Sequence, residues 1–161
     1  MAVSTDILAS WWSPRAVMRR LTAAGRREDR SLVFLMAGCF VIFVAQWPRL
    51  ARVAEATGTE LAQLMAYEFL AWMFVWPLAL YLLTGLAAGL LRLLRSGIEG
   101  WQLRLSLFWA LLAATPGALL YGLMAGFVGP APGTHLVGAL WIAGFAFIFV
   151  AGLREAAGAP S

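Results

Sequence analysis

The 161-residue chain has no lysine, a single cysteine and a single histidine, and only 12% of its residues are charged. One thiol, Cys39, excludes an intrachain disulfide, and with His135 as the lone imidazole the sequence predicts no metal centre. So little charge disfavours both disorder and a free-standing soluble domain, where about 25% of residues are charged. Several signatures of chemistry are also missing: paired intramembrane carboxylates, a Ser with a His at a readable spacing, a phosphate-cradling loop, a dinucleotide fingerprint and a haem-ligating His pair. The expectation is a protein that is not an enzyme and binds no cofactor. The first ten residues include Asp6 and lack the apolar core of a cleavable signal peptide. The absence of Lys beside abundant Ala and Gly reads as the imprint of a GC-rich bacterial genome.

What is present is apolar. Hydrophobic residues make up 62% of the chain and the mean hydropathy is +0.81, which points to an integral membrane protein. A net charge of +4 would invite a nucleic-acid partner if the Arg were spread over a polar fold, but they punctuate hydrophobic blocks, so no nucleic acid is expected. Ser31 to Pro48 is uncharged between Arg30 and Arg49; as a helix, Ser31 to Trp47 rises about 26 Å, enough to cross when the flanking Arg snorkel outward. A second uncharged run extends from Phe69 to Leu91. Between Leu105 and Leu153 no acidic or basic side chain appears except His135, and Gly129-Pro130-Ala131-Pro132-Gly133 divides that stretch into an antiparallel pair.

The predicted fold is therefore all-α: a polytopic bundle of four transmembrane helices near 31–48, 67–91, 104–128 and 135–153, preceded by an interfacial amphipathic helix within 1–30 and followed by a tail, 154–161. Ten of the twelve Arg fall on one side of these spans, among them Arg92, Arg95, Arg104 and Arg154; only Arg49 and Arg52 fall on the other. By the positive-inside rule both ends face the cytoplasm of a bacterial inner membrane.

Ser13 is placed to cap a helix, Pro14 to open it and Gly25 to end it, with Val17, Met18 and Leu21 on one face and Arg15, Arg19 and Arg20 toward the other. With Trp11 and Trp12 just ahead, this segment reads as a helix lying on an anionic leaflet, either as a topology anchor or as a docking surface for a headgroup or partner. Gly85/Gly89 and Gly122/Gly126 offer close-packing faces, within the monomer more readily than as a dimer seam. Pro77 and Pro116 predict kinks. Glu68, the only carboxylate close to hydrocarbon, is expected at the start of the second span, where a helix N-terminus favours negative charge. Met36-Ala37-Gly38-Cys39 mimics a lipoprotein processing site, but too few apolar residues precede it, and a buried thiol on a small-residue face is preferred.

At its two ends the chain resembles the Yip family, membrane proteins named for interaction with small Rab-type GTPases and also found in bacteria. The opening Trp12-Ser13-Pro14-Arg15-Ala16-Val17-Met18-Arg19-Arg20-Leu21 is similar to that family's aromatic residue, Pro and short amphipathic helix. Ala113-Ala114-Thr115-Pro116 resembles its Pro-containing third span, and Leu140-Trp141 through Ala151-Gly152-Leu153-Arg154-Glu155-Ala156 resembles a span closing in a Gly-Leu-Arg-Glu turn. Family members commonly continue into a fifth span. The resemblance implies a helical membrane fold and not a particular activity. The leading functional expectation is a scaffold or interaction protein for lipids or other membrane proteins, with self-association left open. The alternatives are a small transporter or channel and an accessory subunit of a respiratory or photosynthetic complex. Arg15, Arg19, Arg20, Trp11, Trp12, Glu68 and Pro116 are the interaction candidates, and removal of 11–27 is expected to leave the bundle folded.

Overall fold

The computed structural model describes residues 3–93 and 97–158; Arg95 and the tail residues 159–161, both used in the reading above, lie outside them. The described residues are all-helical: α1 Val3–Trp12, α2 Pro14–Ala23, α3 Glu28–Ala45, α4 Trp47–Thr57, α5 Leu61–Leu70, a π-helical turn Ala71–Val75, α6 Trp76–Leu93, α7 Gly100–Ala113, α8 Thr115–Phe127 and α9 Pro132–Gly158. Three continuous helices are long and apolar enough to cross a membrane: Glu28–Thr57, Leu61–Leu93 and Pro132–Gly158. The pair α7 and α8, bent by 43°, meets the same test when taken together.

These helices are longer than the uncharged runs. The first continues through Pro48 to Thr57, because proline is tolerated in the opening turn of α4, where its missing N–H has no partner to lose. The second starts at Leu61 and not near residue 67. Gly58, at φ +67°, turns the chain between them, and Gly129, at φ +83°, opens the predicted turn before α9.

Side-chain contacts give the directions. Arg104 pairs with Glu28, Gly38 meets the Leu112 backbone, and Gly122 meets Ala45, so α3–α4 and α7–α8 run side by side in the same sense. Phe43 against Phe69 and Phe108 against Tyr81 place α5–α6 antiparallel to them. Gly117 on Trp141 and Tyr121 on Gly138 do the same for α9.

The core sits on α7. Leu103, Leu105, Leu107, Phe108, Trp109 and Leu112 are all buried, which covers the helix on every side. Around it lie Phe34, Leu35 and Cys39 of α3, Ile148 of α9, and Val17 and Met18 of α2. Phe34 meets Trp109 edge-on at 4.9 Å. The thiol of Cys39 is fully buried in this cluster, as the small-residue reading expects.

The N-terminal segment departs from the expectation of a single amphipathic helix with a free apolar face, for Val17, Met18 and Leu21 pack into the bundle core. Residues 3–12 form a helix of their own, α1, and α1 and α2 make a hairpin whose far ends are tied by Arg20 to Asp6 at 2.8 Å. The hairpin stands against the bundle. Trp11 at its tip packs on Gly144, while Arg19, two turns up α2, bonds Glu155 at 2.7 Å. Eleven residues of α9 separate those two contacts, about 16 Å of helix. Ser13 sits at the turn without making a side-chain cap; the turn is held by its backbone N–H on the Ala9 carbonyl at 2.8 Å.

Candidate functional site

The hairpin is fixed by polar bonds that an apolar interior makes obligatory. Fully buried Trp109 donates its indole N–H to Ser10 Oγ at 3.0 Å, and the Ser10 hydroxyl donates to the Asp6 carbonyl at 2.8 Å. The break before Pro116 supplies the next link. Without a proline N–H, and with Gly117 bonding Ala114, the carbonyls of Leu112 and Ala113 lose their helical partners. Thr115 Oγ1 donates to Leu112 at 2.8 Å, and Trp11 Nε1 donates to Ala113 at 3.0 Å. Two candidates from the sequence, Trp11 and Pro116, are thus parts of one joint: the kink frees a carbonyl and the hairpin tip takes it.

Between this hairpin and α9 runs an open groove of about 860 Å³. Trp12, Ser13, Pro14, Arg15, Ala16 and Arg19 form one wall, and Ala143, Ala146, Phe147, Val150, Ala151 and Arg154 form the other. Trp12 is 80% exposed, so its ring is available to whatever fills the groove. The three cations are not equivalent. Arg19 is engaged by Glu155, whereas Arg15 and Arg154 are exposed and have no charged or hydrogen-bonding side-chain partner among the described residues. Arg20 is turned away from the groove toward Asp6. Of the sequence candidates, then, Trp12, Arg15 and Arg19 share one site, Trp11 anchors it from behind, and Arg20 secures the hairpin.

Glu68 lies at the other end of the molecule and does not belong to this site. The expectation that it begins a helix is overturned: α5 starts at Leu61, which places Glu68 two turns inside. Its carboxylate accepts from Arg49 at 2.6 Å, and Arg49 also donates to Gln46 Oε1 at 2.8 Å, so the charge is balanced by a partner on α4 and not by a helix dipole. A second groove, about 810 Å³, opens nearby between Trp47, Pro48, Arg52, Leu61, Met65 and Phe127. Its cation is occupied, since Arg52 donates to the Gly126 carbonyl at 3.1 Å at the C-terminal end of α8.

Sequence reading missed α1, Ser10, Arg154's place in the groove and the apolar wall of α9. Val3, Ile7 and Trp11 recur every fourth residue, a helical signal that the polar residues between them mask. Arg154 was legible as a flanking charge only; nothing local to it indicates that α2 lies alongside.

Among the described residues no group of His, Cys, Asp and Glu is gathered to hold a metal. Compared with protein-family models, with curated proteins and with solved structures, the chain matches none.

Proposed function

We propose that this chain is a non-enzymatic, four-span membrane protein of Yip-like type, a scaffold that holds lipids or other membrane proteins through the groove between its N-terminal hairpin and α9. In this reading the bent pair α7–α8 is one span, the membrane is a bacterial inner membrane, and both ends are cytoplasmic. The excess of Arg at one end supports that orientation, for Arg19, Arg104 and Arg154 lie at the hairpin end while Arg49 and Arg52 lie at the other. The Yip-like assignment rests on the three sequence patches alone.

One observation carries the interaction role: a groove with an exposed indole and guanidinium groups that have no partner among the described residues is built on a hairpin tied into the core. A docking surface needs accessible groups on a fixed support, and both are present. Removing 11–27 is no longer a clean test, because Val17 and Met18 are 1% exposed and their loss would open the core. The better test is Trp12→Ala with Arg15→Gln, two exposed residues. Affinity purification in mild detergent at native expression should yield a stoichiometric membrane partner from the parent chain and lose it from the variant at unchanged melting temperature. Solitary migration on a native gel together with solute flux in liposomes would overturn the scaffold reading and favour a transporter.

A further inference from the structure

We infer that the groove between the α1–α2 hairpin and α9 binds one anionic phospholipid, its phosphate held by Arg15 and Arg154 and its upper acyl chain laid along Phe147 and Val150. This deepens the scaffold reading and rests on its membrane assignment.

The groove combines two chemistries in the order a phospholipid presents them. At its open end are the guanidinium groups of Arg154 and Arg19; toward the hairpin tip its floor is Ala143, Ala146, Phe147 and Val150. Phe147 and Val150 are 55% and 43% exposed, so the described residues leave the floor open. The volume, about 860 Å³, lies in the range of sites that enclose small organic ligands, about 300–1,000 Å³, which suits a headgroup and the first part of one chain.

Charge selects the ligand. Arg19 has already spent its charge on Glu155, and its other neighbours in the groove, Arg15 and Arg154, face no carboxylate among the described residues. Arg15 also lies four residues closer to the tip than Arg19, about 6 Å deeper along α2. A cation at that depth is costly unless it reaches water or meets an anion, and a lipid phosphate brings the anion to it without requiring the side chain to leave the groove. A zwitterionic lipid carries its own ammonium beside the phosphate and leaves the net charge of the site uncompensated. An anionic headgroup compensates it.

Direction adds a second argument. Helix α2 runs parallel to α9, so the groove axis follows the helix axes, the direction of lipid chains in a bilayer crossed by those helices. Exposed Trp12 closes the deep end of one wall.

The test uses the full chain purified in mild detergent and titrated with phosphatidylglycerol or phosphatidylcholine, with glycerol phosphate as the chain-free headgroup. Bound lipid is counted by native mass spectrometry and melting is followed by tryptophan fluorescence. The expected result is one tightly retained phosphatidylglycerol, bound at least tenfold more tightly than phosphatidylcholine, and no retention of glycerol phosphate. Arg15→Gln with Arg154→Gln should abolish the preference. Arg92→Gln, which removes one charge from the same end but outside the groove, should keep it. Equal binding of the two lipids, or an equal loss in Arg92→Gln, would overturn the site. Should the lipid preference be absent while Trp12→Ala with Arg15→Gln still releases a protein partner, the lipid inference fails and the scaffold reading survives. Were the chain to stay monodisperse without detergent, both would fall together.

Discussion

The helices α5–α6 and α7–α8 are close in composition, each interrupted by a proline and each carrying a Gly-x3-Gly pair, yet they occupy opposite positions in the molecule. Helix α7 is buried on all sides, whereas only 11% of the most apolar stretch of Leu61–Leu93 is covered, against 44% for Glu28–Thr57. Their prolines are accommodated differently. Before Pro77 the backbone slips into a π turn, with Trp76 N–H on the Ala71 carbonyl and Trp72 stacked on Trp76 at 5.3 Å, and the helix continues. At Pro116 the helix bends by 43° and side chains from elsewhere take the freed carbonyls. The glycines diverge in the same way. A Cβ on Gly122 would stand 1.8 Å from the Ala45 carbonyl oxygen and one on Gly126 2.2 Å from Pro48, while at Gly85 and Gly89 it would meet no described residue within 4 Å. A proline or a small-residue pair thus states what a helix permits; the neighbours decide whether it is used.

Substitutions can break this contrast. The largest effect is expected from Gly122→Ala or Gly126→Ala, because the new methyl meets backbone or a rigid ring and not the end of a flexible side chain. Loss of about 3 kcal/mol or more, or failure to accumulate in membranes, should follow, read from melting in mild detergent. Trp11→Ala should cost about 2–4 kcal/mol through lost packing and an unsatisfied Ala113 carbonyl, and Trp11→Phe about 1–2, since it loses mainly the hydrogen bond. Equal melting of Trp11→Phe and the parent would show that the kink does not need the hairpin. Glu68→Gln removes a partly exposed ion pair with Arg49 and should cost about 1 kcal/mol, diminishing as salt is raised. Gly85→Ala is expected to be neutral or to stabilise by about 0.5 kcal/mol, the ordinary gain from replacing a helical glycine in open space. A marked destabilisation there would mean that α6 packs on something this chain does not supply.

Much of the fold was legible because it follows from the solvent. Uncharged runs bounded by Arg49, Arg92 and Arg104 identify helices long and apolar enough to cross a membrane, and the Gly129–Gly133 cluster identifies a turn, without any knowledge of tertiary contacts. Helix ends were less legible: charge marks where hydrocarbon stops, not where helical hydrogen bonding stops, so α4 runs past Arg49 and Arg52 to Thr57 and α5 begins before Glu68. The apolar face of α2 was read correctly from Val17, Met18 and Leu21, but an amphipathic face fits a leaflet and a bundle equally well. Burial of Ser10 and the bond from Trp11 to Ala113 decide for the bundle, and those are long-range facts. The groove was half visible, in the Arg and Trp of the hairpin; its other wall, Ala143 to Arg154, carries no local mark.

If the four-span proposal holds, the N-terminal hairpin, which runs alongside α9, stands within the apolar layer and does not lie on its surface. Spin labels placed at Ser13→Cys and Ala24→Cys, with Cys39 replaced by Ala, report this directly through relaxation by oxygen and by a water-soluble nickel complex in reconstituted bilayers. A label at 13 should be reached by oxygen and shielded from nickel, roughly half-way down a leaflet-to-leaflet path of about 30 Å, and a label at 24 should give the opposite response. Equal, interfacial responses at both positions would contradict it.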